Sequence, residues 1–183
     1  MLKKILISLS LVFILLIVIG TIFVPDKAPE SQAIYTQQLN GYRDLMKEVK
    51  EGANGNQIKK VKDAITTFID EPRYADLWYA EVKSVSEHED ILYIVTQYKE
   101  NQHDSYIDYS QMFTLMIHDS ETKKKVANLQ KGHDIFFSGS LGKEQSITFK
   151  GRLEQPEYIF SPTKLKLSLD GEDINIPQFS PLE

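Results

Sequence analysis

Four histidines stand fifteen residues apart, at His88, His103, His118 and His133, and each is followed by an acid: Glu89, Asp104, Asp119 and Asp134. Imidazole and carboxylate together form ligand sets for zinc and related divalent ions. Two features weigh against a metal site. The residues around the four pairs do not repeat, so the spacing marks no internal duplication. All four pairs also fall where turns are predicted, and a metal site needs its ligands to converge. Polar turn residues account for them, and no metal or cofactor is implied.

Other reactive constellations are equally thin. The chain has no cysteine, which removes disulfides, a thiol nucleophile and a thiolate metal site. It has no Gly-x-Ser-x-Gly elbow, phosphate loop or dinucleotide fingerprint. Asp170, Glu172 and Asp173 lie in a polar C-terminal stretch, whereas catalytic carboxylates need partial burial to tune their pKa. The chain therefore reads as non-enzymatic. Lys123, Lys124 and Lys125, with Lys131 nearby, make the only basic cluster. They suit either a contact with an anionic partner or a solvated loop, and a handful of lysines gives only weak, salt-sensitive attraction. Apart from Lys3 and Lys4 there are 19 basic against 26 acidic residues, a net of −7. That balance opposes tracking along nucleic acid and lying flat on anionic lipid by charge.

Periodicity supplies the elements. Tyr35, Leu39, Tyr42, Met46 and Val49 recur at helical spacing, predicting a helix over 34–51 after a polar linker at 25–33. Gly52-Ala-Asn-Gly-Asn56 breaks it. Ile58, Val61, Ile65, Phe68 and Ile69 predict a second helix over 57–70, ended by Glu71-Pro72, so 26–74 reads as linker and helical hairpin. The period then changes to two: Trp78, Ala80 and Val82 alternate with Tyr79, Glu81 and Lys83. Further strands are predicted at 91–98, 112–117, 135–141, 146–153 and 158–169, the last bent at Pro162. Residues 126–130 suit one helical turn, and 170–183 read as an irregular tail.

Five or six short antiparallel strands must hide their edges, and a small closed barrel does so. Trp78-Tyr-Ala-Glu-Val82, Phe113-Thr-Leu-Met-Ile117, Val126 through Leu129-Gln-Lys-Gly132-His-Asp-Ile135 to Gly139, and Tyr158-Ile-Phe-Ser-Pro-Thr-Lys164 together resemble the nucleic-acid-binding-like, tRNA-anticodon-binding-like OB domains. Some of these occur in bacterial membrane-anchored envelope proteins. The resemblance covers roughly residues 75–169 and implies an all-β, OB-like Greek-key barrel, giving α+β overall with the preceding helices. It carries no catalytic residue. It implies a ligand or partner surface on the second and third strands and their flanking loops. Candidates there are Tyr93, Tyr98, Tyr106 and Tyr109, with Lys123, Lys124, Lys125 and Lys131 on the loop before the fourth strand. The alternative is that these tyrosines fill the barrel.

Lys3 and Lys4 precede an apolar run from Ile5 to Val24, interrupted only by Ser8, Ser10, Gly20 and Thr21. Its length suits a transmembrane helix better than the shorter core of a cleaved signal, and no small-x-small pair follows closely. The expectation is a single-pass anchor in a bacterial cytoplasmic membrane, with the N-terminus inside and the body periplasmic or extracellular. The expected function is a binding or assembly module with a protein partner in the envelope. The alternative is an envelope receptor for an oligosaccharide or oligonucleotide, with nucleic acid disfavoured by the acidic balance.

Overall fold

The computed structural model describes residues 27–52, 54–100 and 108–178. The apolar run at 5–24 lies outside the described residues, and no helix among them is long and apolar enough to cross a membrane. The architecture is a seven-stranded mixed sheet with helices, α+β overall.

Helix α1 spans Glu30–Gly52. It begins earlier than its apolar stripe suggests, because Pro29 sits at its mouth and Glu30 places an acid in the first turn. The amides of Gln32 and Ala33 donate to Pro29 O at 3.0 Å each. Helix α2 spans Gly55–Asp70 and opens on a capping box. Asn54 Oδ1 accepts from the Gln57 amide at 3.1 Å, and Gln57 Oε1 accepts from the Asn54 amide at 3.0 Å. The two helices pack as a hairpin through Tyr42 and Phe68, with ring centroids 4.8 Å apart. Tyr35, Leu39, Met46, Ile65, Phe68 and Ile69 enter the same core as the sheet.

Strands β1 (Arg73–His88), β2 (Ile91–Lys99) and β3 (Ser110–Ile117) form an antiparallel meander. The turn between β1 and β2 is only two residues, Glu89 and Asp90, both with positive φ, which matches the twist of the flanking strands. The polar stretch from Ser86 to His88 therefore belongs to β1. Helix α3 (Ser120–Lys125) leads to β4 (Asp134–Leu141), which returns beside β1. The spatial order β4-β1-β2-β3 is that of a Greek key. Strand β5 (Glu157–Phe160) adds to β3 in parallel. Strands β6 (Lys164–Lys166) and β7 (Ile174–Asn175) extend the other side beyond β4.

Three expectations are corrected. Residues 149–154 form a short helix, α4 (Phe149–Glu154), rather than the body of a strand. Thr148 caps it, its Oγ1 accepting from the Gly151 amide at 3.0 Å, and Leu153 is buried. The barrel is not closed: the sheet runs open from β5 to β7. The free edge of β4 is occupied by β6 at Phe136–Ser138, and beyond β4 the chain meets β5 through an isolated bridge, Glu144 to Tyr158, and through the Gln145 amide, which donates to Glu157 O at 2.8 Å. The predicted last strand divides at Pro162 into β5 and β6 on opposite sides of the sheet. The open mouth is filled by α1 and α2, whose side chains reach Trp78 and Tyr158. The Tyr35 ring lies 5.3 Å from that of Trp78, and its hydroxyl lies 2.6 Å from that of Tyr158.

Gly142 sits where the strand end passes β5, and a Cβ there would lie 2.4 Å from Ile159 O. Gly41 is exposed in α1 with nothing within 4 Å of an added Cβ. Gly142→Ala should cost about 1–3 kcal/mol by overpacking. Gly41→Ala should stabilise by about 0.5–1 kcal/mol through helix propensity. Urea denaturation of each variant checks the pair. A neutral Gly142→Ala would mean that β5 is not held against the strand end.

Candidate functional site

Alternation sorts the sheet into two faces. On β2 the side chains of Ile94, Thr96 and Tyr98 are buried, whereas Tyr93, Val95 and Gln97 are half-buried on the other face. The ladders align Ser86, Tyr93 and Met116 in one row and Ser84, Val95, Thr114 and Ile159 in the next. A third row holds Glu81, Gln97, Met112 and Glu157. Ile159 is exposed, and Tyr93, Val95, Met112 and Met116 are half-buried and stand outside the central core of the described residues. The result is an outer face of mixed apolar and polar character, opposite the side filled by the helical hairpin.

The predicted surface residues separate. Of the three described tyrosines, Tyr93 alone lies on the outer face. Tyr98 is buried on the core side, its ring 6.3 Å from that of Tyr79 in an edge arrangement. Tyr109 is buried with its ring under the Arg43 guanidinium at 4.1 Å. Neither offers an open face for stacking. Tyr106 lies outside the described residues. Lys123 donates from Nζ to Glu87 at 2.7 Å and to Asp90 O, tying α3 to the β1–β2 hairpin. Glu87 shares the side of Leu92 and Ile117, so this tie lies across the hairpin from Tyr93. Lys124 pairs with Glu121 at 2.6 Å, while Lys125 and Lys131 are exposed.

The three described histidine-acid pairs form no common metal-holding group. His88 sits at the exposed hairpin tip, 3.5 Å from Glu89. Asp119 caps α3, and hydrogen bonds from the Thr122 hydroxyl and amide hold its carboxyl below the usual range. His133 accepts through Nδ1 from the Gln130 amide at 3.3 Å. Asp134, despite a burial cost, is also held low, by Lys27 and by the Tyr79 hydroxyl, which donates at 2.8 Å. The pair His103–Asp104 lies outside the described residues. Among the described residues no three histidines or carboxylates form a metal-holding group.

A buried polar cluster does exist, among residues the periodicity treated as background. Arg43 and Glu100 form an ion pair whose side chains are each 1% exposed. Arg43 Nε donates to Leu153 O at 2.6 Å and its Nη2 to Glu154 O at 3.2 Å. Gln111 Nε2 donates to Thr36 Oγ1 at 2.9 Å and to Glu100 Oε1 at 3.2 Å. Gln111 Oε1 is buried without a partner among the described residues. A second buried anchor is Gln32, whose side chain accepts from the Tyr79 amide at 2.8 Å and donates to Tyr79 O at 2.9 Å. Both clusters bind helix to sheet, and neither contains a nucleophile beside a base. The available signal was Gln32 and Arg43 in step with Tyr35, Leu39 and Met46: two polar residues inside an apolar stripe.

No significant match to the chain is found among protein-family models, curated proteins or solved structures.

The interior tyrosines give a pH signature. Burial pushes Tyr35 up from 10.0 to about 12, and burial with the Glu100 charge does the same to Tyr98. Tyr158 is raised further by burial and by Tyr35. The fold keeps these phenols neutral, while the unfolded chain ionises them near the ordinary value. Their contribution to stability is complete below about pH 10 and is lost as pH rises through about 12. Phenolate absorbance, followed beside circular dichroism, should show these rings ionising only as the fold is lost. Complete tyrosine titration near pH 10 in folded protein would contradict their burial.

Proposed function

We propose that the chain is a membrane-anchored, non-enzymatic binding or assembly module of a bacterial envelope, held by residues 5–24 with its body outside the cytoplasm. The observation that carries this reading is the outer face of β1, β2 and β3. It presents Tyr93, Val95, Met112, Thr114 and Met116 on the sheet, while α1 and α2 pack on the other side. The anchor rests on the length and uniformity of the apolar run. The order β5-β3-β2-β1-β4, with a helix between β3 and β4, supports an OB-type, partly open Greek-key core. In that architecture the second and third strands are the contact surface, and Tyr93 is its aromatic centre here.

A protein partner suits this face better than nucleic acid. Its rows hold thioether, aliphatic, hydroxyl, amide and carboxylate groups and no cluster of positive charge, whereas phosphate backbones demand clustered lysine or arginine. One tyrosine among methionines resembles an adaptable protein contact more than a stacking platform of several rings.

The test is photo-crosslinking from position 93 in the intact chain in its native membrane. A discrete protein adduct is expected, and Tyr93→Ala should weaken capture of that protein by roughly tenfold or more, about 1.4 kcal/mol, while leaving the melting temperature unchanged. No protein adduct, together with saturable binding to a glycan or oligonucleotide array, would replace this reading with that of an envelope receptor.

A further inference from the structure

The start of α1 is fixed to the sheet more firmly than a simple tether requires. Trp78 Nε1 donates to Ser31 Oγ at 3.0 Å, and the Gln32 amide brackets the backbone of Tyr79. Lys27 pairs with Asp134 and lies over the Tyr79 ring at 5.4 Å. The point where the chain enters the body is therefore set relative to β1 and β4. Beside it runs a shallow groove of about 520 Å³, between Lys27, the turn at Gly132–Asp134, Phe136 and the segment after β6. That segment presents two leucines to solvent, Leu167 at 38% and Leu169 at 60% exposed.

Only Pro25 and Asp26 separate Val24, the last residue of the apolar run, from Lys27. Even fully extended, three residue steps reach about 10–11 Å. Two prolines in five residues, Pro25 and Pro29, also restrict the turns this connection can make. If the run spans the bilayer, Lys27 lies within about that distance of the headgroups, and the groove with its leucines lies beside it. Exposed leucines beside a lysine suit the boundary between headgroups and acyl chains: the apolar groups enter, and the amine stays at the aqueous side.

We propose that the Leu167–Leu169 rim rests on the phospholipid surface of the membrane that holds the anchor. The body then has one orientation, instead of swinging on its tether, and the outer face of β1–β3 is presented at a set angle. The contact is apolar. Nearby Lys164 and Lys166 are both paired with Asp173. This inference rests on the membrane-anchored reading given above.

The absence of native cysteine permits a clean test by spin labelling. The intact chain is reconstituted in phosphatidylcholine vesicles with a single nitroxide at Leu169→Cys, Ile14→Cys or Ile147→Cys. Ile147 is 101% exposed on the turn after β4 and serves as the aqueous reference. The label at 169 should collide with a water-soluble nickel reagent several-fold less than the label at 147, and adding Leu167→Glu should restore the aqueous value. Equal nickel access at 169 and 147, with the label at 14 shielded, overturns the surface contact while leaving the anchor intact. Nickel access at 14 overturns the anchor and the contact together. Failure of Leu167→Glu to release the label at 169 overturns the role of the rim.

Discussion

A guanidinium buried in an apolar helix face is the constraint on which the rest of this fold depends. Arg43 sits between Leu39 and Met46 on α1 and touches water almost nowhere. Burying a charge without partners costs several kcal/mol, so its surroundings must be built to satisfy it. They are supplied from four places, one of them Asn40 Oδ1, which accepts from Nη1 at 2.7 Å. Glu100 at the end of β2 provides the counter-charge, the Tyr109 ring covers the guanidinium plane, and Leu153 and Glu154 offer their carbonyls. Those carbonyls are the orphaned acceptors at the end of α4. Arg43 thus caps α4, which explains why a segment with strand-like composition ends as a helix. Helix α1 cannot slide or rotate on the sheet without stranding this charge.

The same helix decides which sheet face remains available. By filling the mouth between β1, β3 and β5, α1 and α2 complete the core that an open sheet would leave wet. Tyr35 and Phe68 stack with ring centroids 5.6 Å apart and reach Trp78, which contacts Phe113 and through it Phe137. Among the described residues the opposite face receives no helix, and it carries Tyr93 with its methionine neighbours. The proposed function lives on that asymmetry: one side is spent on stability, and the other is left for a partner. The start of α1 adds a second asymmetry, since Gln32 and Lys27 fix where the chain meets the body.

Much of the architecture was legible because it follows period. The helical stripes named the core of the hairpin, and the alternation around Trp78, Ala80 and Val82 named the face of β1 turned inward. Parity also carried information that the choice of candidate tyrosines passed over. Tyr93 and Tyr98 are five residues apart on one strand, so they must point to opposite faces, and only one of them could join an exposed surface. What periodicity could not supply were decisions made at long range. The capture of α4 by Arg43 joins residues 110 apart in sequence, and the displacement of β5 from β4 follows from β6 taking the edge. Neither is encoded in a local window. The bulge that puts Trp78 into the core, with Leu77 at positive φ and its amide on Ser138 Oγ at 2.9 Å, is likewise set by a residue of another strand.

The most direct measure of Arg43 as the central constraint is a double-mutant cycle for folding stability with Arg43→Met and Glu100→Leu. Each single substitution should destabilise by about 3–5 kcal/mol, because it leaves its partner buried and uncompensated. The double variant should lose far less than the sum, with a coupling of about 2 kcal/mol or more. Small and additive losses would show that α1 is held by its apolar stripe alone and would contradict this account.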